Sequence, residues 1–332
     1  MKEYSGVLVF AEQKNGEIHK VSYELLGKAR ELADKINEQV YCCICGPSSL
    51  QVNELIYRGA DKVFYIQDDE IFNKPEVMTY AKNIVRVIDE VKPKICLFGA
   101  TNFGRSLAPR VAANLKCGLT ADCTGLEIDD EDNKLIQIRP AFSGNILAHI
   151  KSQSLPQMST VRFKEFDEAK RDETRSGEVK TYESIVIENN AIDVLEEVVE
   201  ENFNITDAKV VVSAGKGLKS AEGFKMLEEL AGLLGGVIGC SRPLVEEGFI
   251  SKAHQVGYSG NRVKPKLYIA CGISGSPQHQ AGMKESEMIL AINSDPSAPI
   301  FNIADYGIVG DIYQVVPQLI NKIKNKKANY KC

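Results

Sequence analysis

Apolar positions along this chain fall into two rhythms. Continuous short runs, "SGVLVFAE" (5–12), "QVYCCICG" (39–46), "DKVFYIQ" (61–67) and "KICLFGAT" (94–101), read as strands buried on both faces. Between them the apolar residues recur at helical spacing. Val21, Leu25, Ala29, Leu32 and Ile36 share one face, as do Val77, Ala81, Ile84, Ile88 and Val91. A shorter helix over 48–59 is stopped by Gly59, and "FGRSLAPRVAANL" (103–115) follows the fourth strand. Alternation of this kind predicts a parallel sheet with right-handed crossovers.

The rhythm changes near residue 118. "LTADCTGLEID" (119–129), "KLIQIRPAF" (134–142), "NILAHIKS" (145–152) and "QMSTVRF" (157–163) follow one another without helices, and are expected to add antiparallel strands at a sheet edge. The charged stretch 166–179 reads as a solvated loop or hairpin tip, and the acidic 191–202 falls within a linker. A second βα alternation then begins: strands at 208–217, 235–240, 266–272, 287–295 and 298–307, with helices over 218–235 and 310–324. A short helix at 241–248 is opened by Ser241, with Pro243 in its first turn. The expected fold is two parallel-sheet α/β domains in series, the second doubly wound. Their expected bounds are 1–187 and 208–326, with a linker over 188–207 and a tail over 327–332.

Composition narrows the function. The net charge of −5 argues against nucleic acid as the main partner, because phosphate backbones call for a basic surface. No apolar run approaches the roughly 18 residues of a membrane span. The N-terminal "MKEYSGVLVFAEQ" starts a strand rather than a signal or transit segment, so a cytoplasmic location is expected. Nine cysteines lie mostly within apolar runs and read as reduced thiols used for packing, with no metal expected.

Ligands of parallel sheets bind beyond the carboxyl ends of the strands. In the second half those ends read "AGKGLKS" (214–220), "GCSRPL" (239–244), "CGISGSPQH" (271–279), "INSDP" (292–296) and "ADYGIVGD" (304–311), joined by the loop "HQVGYSGNRVKP" (254–265). Glycine allows close backbone approach, and free N–H groups favour phosphate. Each piece alone is weak. "SAGKGLKS" lacks both the G-x-G-x-x-G spacing and the Walker A pattern, and a lone His279 in a turn is more often a surface or satisfied histidine. Their convergence on one edge points to a dinucleotide.

The continuous stretch "LYIACGISGSPQHQAGMKESEMILAIN" (267–293) resembles the alpha subunit of electron transfer flavoproteins, and "RPAFSGN" (139–145) and "SAGKGLKS" extend the resemblance over essentially the whole chain. The resemblance implies one FAD in the second domain. It implies that Arg242 lies over the flavin ring with Ser241 beside it, and that Ser259 bonds near flavin N5 in a loop with Val256, Gly257 and Tyr258. It further implies that Ser274, Gly275, Ser276, Pro277, Gln278 and His279 wrap the cofactor, with His279 at the N1/O2 edge. Lys216, Asn293, Asp311 and Ile312 match positions toward the ribose, adenine and diphosphate.

Three positions depart from the family pattern: Lys216 where arginine is common, Pro277 where an aliphatic is usual, and Tyr258 where glutamine is frequent. A histidine, a helix N-terminus and an arginine would each favour negative charge on the reduced flavin. The implied partners are an electron transfer flavoprotein beta subunit, held by the first domain, and an acyl-CoA dehydrogenase-type flavoenzyme. Flavin-based, NADH-dependent electron bifurcation is the sharper variant. Two alternatives come from other classes. An NAD-dependent deacylase-like enzyme requires paired zinc-binding C-x-x-C motifs, and the chain has no such set. A nucleotide-binding regulatory module leaves Arg242, Ser259 and His279 without a role.

Overall fold

The computed structural model describes residues 3–74, 76–141, 146–187 and 205–329. The chain divides between Asp193 and Val194 into two compact units.

The first unit contains β1 (Val7–Ala11), a small hairpin of β2 (Gln13–Lys14) and β3 (Glu17–Ile18), α1 (Lys20–Lys35), β4 (Val40–Gly46), α2 (Asn53–Tyr57), β5 (Lys62–Gln67), α3 (Val77–Val91), β6 (Ile95–Gly99) and α4 (Asn102–Leu115). It continues with β7 (Leu119–Cys123), β8 (Gly125–Ile128), β9 (Leu135–Ala141), β10 (Ile146–Lys151), β11 (Gln157–Val161) and β12 (Glu178–Glu183). Seven strands form one sheet in the order β12-β5-β4-β1-β6-β11-β7, and their pairings are parallel. All five residues of β1 are buried, which explains the unbroken apolar run: helices cover both faces. One core contains Val9, Leu25 and Ile44 on the α1 side, and another contains Phe10, Ile84 and Phe98 on the side of α3 and α4.

The expected antiparallel strands exist, but their placement is corrected. β8, β9 and β10 make a separate three-stranded antiparallel sheet, while "LTADC" and "QMSTV" enter the main sheet as parallel strands. Buried polar side chains join the two sheets: Gln137 of β9 donates to Met158 O at 2.9 Å and to Ser159 Oγ at 2.7 Å, and accepts from Thr120 at 2.6 Å. This network explains why polar residues interrupt the hydrophobic pattern there. The charged stretch 166–179 is a loop as expected, although its last residues open β12, which alternation alone did not reveal. Arg171 fastens the loop to Glu54 at 2.7 Å.

The second unit contains β13 (Val210–Ala214), α5 (Ala221–Leu234), β14 (Val237–Cys240), α6 (Arg242–Glu246), β15 (Leu267–Cys271), α7 (Pro277–Gln280), β16 (Ile289–Asn293), β17 (Tyr306–Val309) and α8 (Ile312–Asn329). Its five strands are all parallel, in the order β14-β13-β15-β16-β17. Numbered within the unit this is 2-1-3-4-5, a doubly wound order whose switch point lies between the first and third strands. Two details differ from expectation. "APIF" is a 3-10 turn over Pro299–Asn302 with Ile300 fully buried, so the last strand starts only at Tyr306. The closing helix runs to Asn329, into the expected tail.

Residues 188–204 of the expected linker, 142–145 of "RPAFSGN" and 330–332 of the tail lie outside the described residues. Among the described residues, eight cysteines are free thiols. Cys42 and Cys45 have C-x-x-C spacing, but odd separation on a strand sends them to opposite faces and into different cores. Among the described residues, no helix is long and apolar enough to cross a membrane.

Candidate functional site

A cavity of about 410 Å3 opens at the carboxyl ends of β14 and β15, on either side of β13. That volume lies within the range of small-molecule sites, about 300–1,000 Å3. Three chain segments build it. After β14 the chain turns into α6, where Ser241 is the N-cap and Pro243 stands in the first turn. The Ser241 hydroxyl makes no capping bond, and Ser241 lines the cavity. Arg242 is two-thirds exposed, and Glu246 one helical turn on holds its Nε at 2.8 Å.

The second segment is the loop after α6. It is pinned to the strand edge where Val256 N–H donates to Cys240 O at 2.8 Å, and to α7 where Tyr258 N–H donates to Gln278 O at 2.7 Å. Gly257 has φ +152°, and a side chain there would press on Gln278 O at 3.2 Å. Ser259 Oγ accepts from Gln255 Nε2 at 3.2 Å, which leaves its own proton to be donated elsewhere. The third segment is α7, capped by Ser276, with Pro277 in its first turn as expected.

His279 lies on α7 and is 5% exposed. Its Nε2 lies 3.0 Å from the Tyr268 hydroxyl, and its buried Nδ1 has no hydrogen-bond partner in the protein. Burial pushes its pKa down to about 4; a backbone contact with Val256 pulls weakly the other way, without hydrogen-bond geometry at Nδ1. The ring is therefore neutral near pH 7. Burial without a carboxylate partner disfavours the imidazolium, so this histidine can favour negative charge on a ligand through a hydrogen bond but not through a full charge. The helix-terminus contribution is also smaller than expected, because α6 spans five residues and α7 four, and a macrodipole needs aligned turns.

Nine of the expected residues line this cavity: Ser241, Arg242, Val256, Gly257, Tyr258, Ser259, Ser276, Gln278 and His279. The others stand along the same strand-end edge without lining it, and several have structural work of their own. Asn293 Nδ2 donates to Ile273 O at 2.8 Å. Asp311 accepts from Tyr313 N–H at 2.9 Å at the start of α8, and the Ile312 side chain belongs to the core. Lys216 is 77% exposed and 3.6 Å from Glu247. The glycines beside Lys216 serve packing first. A Cβ on Gly215 would meet Gly272 O at 2.3 Å, and one on Gly217 would meet Gly272 Cα at 2.8 Å. Ser274 and Gly275 turn the chain out of β15 before Pro277 opens α7, and Ser274 O accepts from Ile300 N–H at 2.9 Å.

Gln255, Pro243, Glu246 and Tyr268 were not among the expected site residues. Glu246 follows Arg242 by four residues, a signal for a helical ion pair. Tyr268 reads as strand core, and nothing local marks its hydroxyl as a partner of His279.

Comparison with known proteins decides the family. Residues 7–186 match the electron transfer flavoprotein domain, and residues 204–284 match the electron transfer flavoprotein FAD-binding domain. The chain is 46% identical to the electron transfer flavoprotein subunit alpha of Thermoanaerobacterium thermosaccharolyticum, across 98% of this chain and all of that protein. The chain belongs to the electron transfer flavoprotein alpha-subunit family. The corresponding subunit of Clostridium acetobutylicum is 45% identical over 97% of this chain and 98% of its own length. The LctC subunit of the lactate dehydrogenase (NAD(+),ferredoxin) of Acetobacterium woodii is 44% identical over 98% of this chain and 78% of its own.

Family membership decides against the deacylase-like and regulatory-module alternatives, and it gives the second unit its cofactor, FAD. The residues present are compatible with such a group. His279 Nδ1 is buried without a hydrogen-bond partner, the Ser241 hydroxyl makes no capping bond, and both residues line one cavity. The cavity segments fall inside 204–284, whereas Asn293, Asp311 and Ile312 lie beyond the matched region.

Proposed function

We propose that this chain is the FAD-carrying subunit of a cytoplasmic electron carrier, paired through its first unit with an electron transfer flavoprotein beta subunit and exchanging electrons with an acyl-CoA dehydrogenase-type flavoenzyme. One observation carries this reading: within a matched FAD-binding domain, a cavity built from the strand ends is lined by His279, whose buried Nδ1 has no protein partner. The bound flavin supplies the redox chemistry. The chain's own residues position it and tune its surroundings.

In this reading Arg242, held by Glu246, covers the flavin ring. Ser259, oriented by Gln255, donates its hydroxyl proton toward N5, and His279 Nδ1 faces the pyrimidine edge. Ser241 holds the ring from the α6 side. Lys216, Asn293, Asp311 and Ile312 line the path of the ribose, diphosphate and adenine, with Ile312 contributing only its backbone because its side chain is in the core. Similarity to LctC favours a second, sharper reading, in which the pair belongs to an NADH-dependent bifurcating complex.

Purification with the partner subunit tests both readings. A flavin absorption spectrum that follows the complex is expected, and a colourless complex that binds no added FAD contradicts the carrier reading. Two FAD per heterodimer would support bifurcation; one FAD with AMP would exclude it.

A further inference from the structure

We propose that Tyr268 is a positioning residue for the cofactor site: its hydroxyl fixes the proton of His279 on Nδ1, so that the ring presents a hydrogen-bond donor to the cavity. This rests on the reading of His279 as a cavity-facing residue. Tyr268 lies on β15, fully buried, and its Oη is 3.0 Å from His279 Nε2. A neutral imidazole has one donor nitrogen and one acceptor nitrogen, and the bond made by one ring atom decides the role of the other.

Two arrangements satisfy the 3.0 Å contact. In the first, the phenol donates to Nε2, and Nδ1 carries the ring proton. In the second, Nε2–H donates to the phenol, Nδ1 becomes an acceptor, and the phenolic proton must find another oxygen. Burial raises the Tyr268 pKa well above its ordinary range, so the phenol keeps its proton in either case. The residues around it, Val211, Val256, Ala270, Ile273 and Met283, offer apolar side chains.

The surroundings of the phenol break the tie. Among the described residues its hydroxyl bonds His279 Nε2, and the side chains packed around it are apolar. Ser213 Oγ on the adjacent strand β13 is buried but makes no hydrogen bond. A proton on Nε2 would therefore strand the phenolic proton in the core, which is costly, whereas Nδ1 has no partner in the protein and belongs to a residue that lines the cavity, so its proton is open to a ligand. With the phenol donating, Nδ1 is a donor, suited to a carbonyl-type oxygen on a bound heterocycle.

The chain has four histidines, so histidine-selective 15N labelling of the FAD-loaded complex isolates the signal, assigned with a His279→Gln variant. The expected result is a protonated Nδ1 and a bare Nε2 in the wild type. In Tyr268→Phe the ring should exchange between tautomers, and FAD should bind about three- to tenfold more weakly, the range set by one ordinary hydrogen bond. A proton resident on Nε2 in the wild type overturns the proposal, whether or not the variant folds. So does a Tyr268→Phe protein in which neither the tautomer nor FAD affinity changes. A third result separates the two layers. If His279→Ala binds FAD as tightly as the wild type while the wild-type ring carries its proton on Nδ1, Tyr268 still sets the tautomer, and the cavity-facing role of His279 is what fails.

Discussion

The two parallel sheets of this chain share an architecture and differ at their carboxyl edges. In the first unit the polar groups there bind one another. Glu12, just after β1, accepts from Thr101 at 2.6 Å, and its backbone N–H donates to Ser22 at 2.9 Å. Gln13 reaches Phe72 O at 2.9 Å and the Tyr80 hydroxyl at 3.1 Å, and Asp122 bridges Arg105 at 2.7 Å and Arg162 at 3.0 Å. In the second unit the corresponding edge leaves the Ser241 hydroxyl uncapped and His279 Nδ1 unpartnered around a cavity. A parallel sheet therefore offers a ligand edge by topology, but whether that edge receives a ligand depends on which polar atoms the protein has already engaged.

The largest disruption should come from Gly275→Ala. Gly275 has φ +86°, and a Cβ there would stand 2.5 Å from Ile300 N. Backbone on both sides leaves no flexible atom to move, so about 3 kcal/mol or more of stability should be lost, and FAD should no longer co-purify. Gly235→Ala gives the control. Its φ is +66° but nothing lies within 4 Å of a new Cβ, so the loss should stay near 1 kcal/mol with FAD retained. Thermal melts and the flavin spectrum read both outcomes.

Next comes the buried histidine. The folded pKa of about 4 lies below the ordinary 6.5, so the unfolded chain takes up the proton first as pH falls. The contribution of neutral His279 is complete above pH 6.5 and is lost as pH drops toward 4, by on the order of 3 kcal/mol. Urea denaturation of the FAD-free protein at several pH values should show the wild type losing this increment relative to His279→Gln. Parallel curves would mean that the ring is charged or exposed in the folded protein.

Smaller effects are expected in the first unit. Thr101→Val removes both the Glu12 bond and the cap on Gly104 N–H, and should cost about 1–2 kcal/mol while leaving FAD affinity unchanged. Altered FAD affinity would blur the contrast between the two edges. A pH-dependent effect of the opposite sign is expected at Glu24, whose pKa burial raises to about 8 despite a hydrogen bond from Lys164 N–H. An acid with a raised folded pKa costs stability as pH climbs from 4.5 toward 8. Glu24→Gln should therefore gain stability over the wild type as pH rises from about 4.5 to about 8.5 in urea denaturation, with the gain gone by about pH 4.5.

Most of the architecture was legible because parallel strands buried on both faces leave unbroken apolar runs, as in "GVLVFA" and "KLYIAC". β12 was not, because "EVKTYE" is an edge strand with one covered side and a charged composition. The placement of β7 and β11 depended on pairing across long sequence distances, which local pattern does not encode. At the site, the loop motifs located the cavity segments, and the i,i+4 spacing of Arg242 and Glu246 was there to be read. The contact of Tyr268 with His279 was hidden, because a strand residue and a turn residue meet only once the chain has folded. The glycines of "GKG" have a packing reason that the sequence did not reveal: Gly272 sits against both.

The central claim is that the cavity between the ends of β14 and β15 holds the FAD of this chain. Fluorescence titration of FAD into the cofactor-stripped complex, comparing wild type, an Arg242→Ala/His279→Ala double variant and Thr101→Val, tests it most directly. The double variant should bind FAD at least about a hundredfold more weakly, two lost contacts at roughly tenfold each, while Thr101→Val binds as the wild type does. Wild-type affinity in the double variant, or lost binding in a folded Thr101→Val protein, would contradict the account.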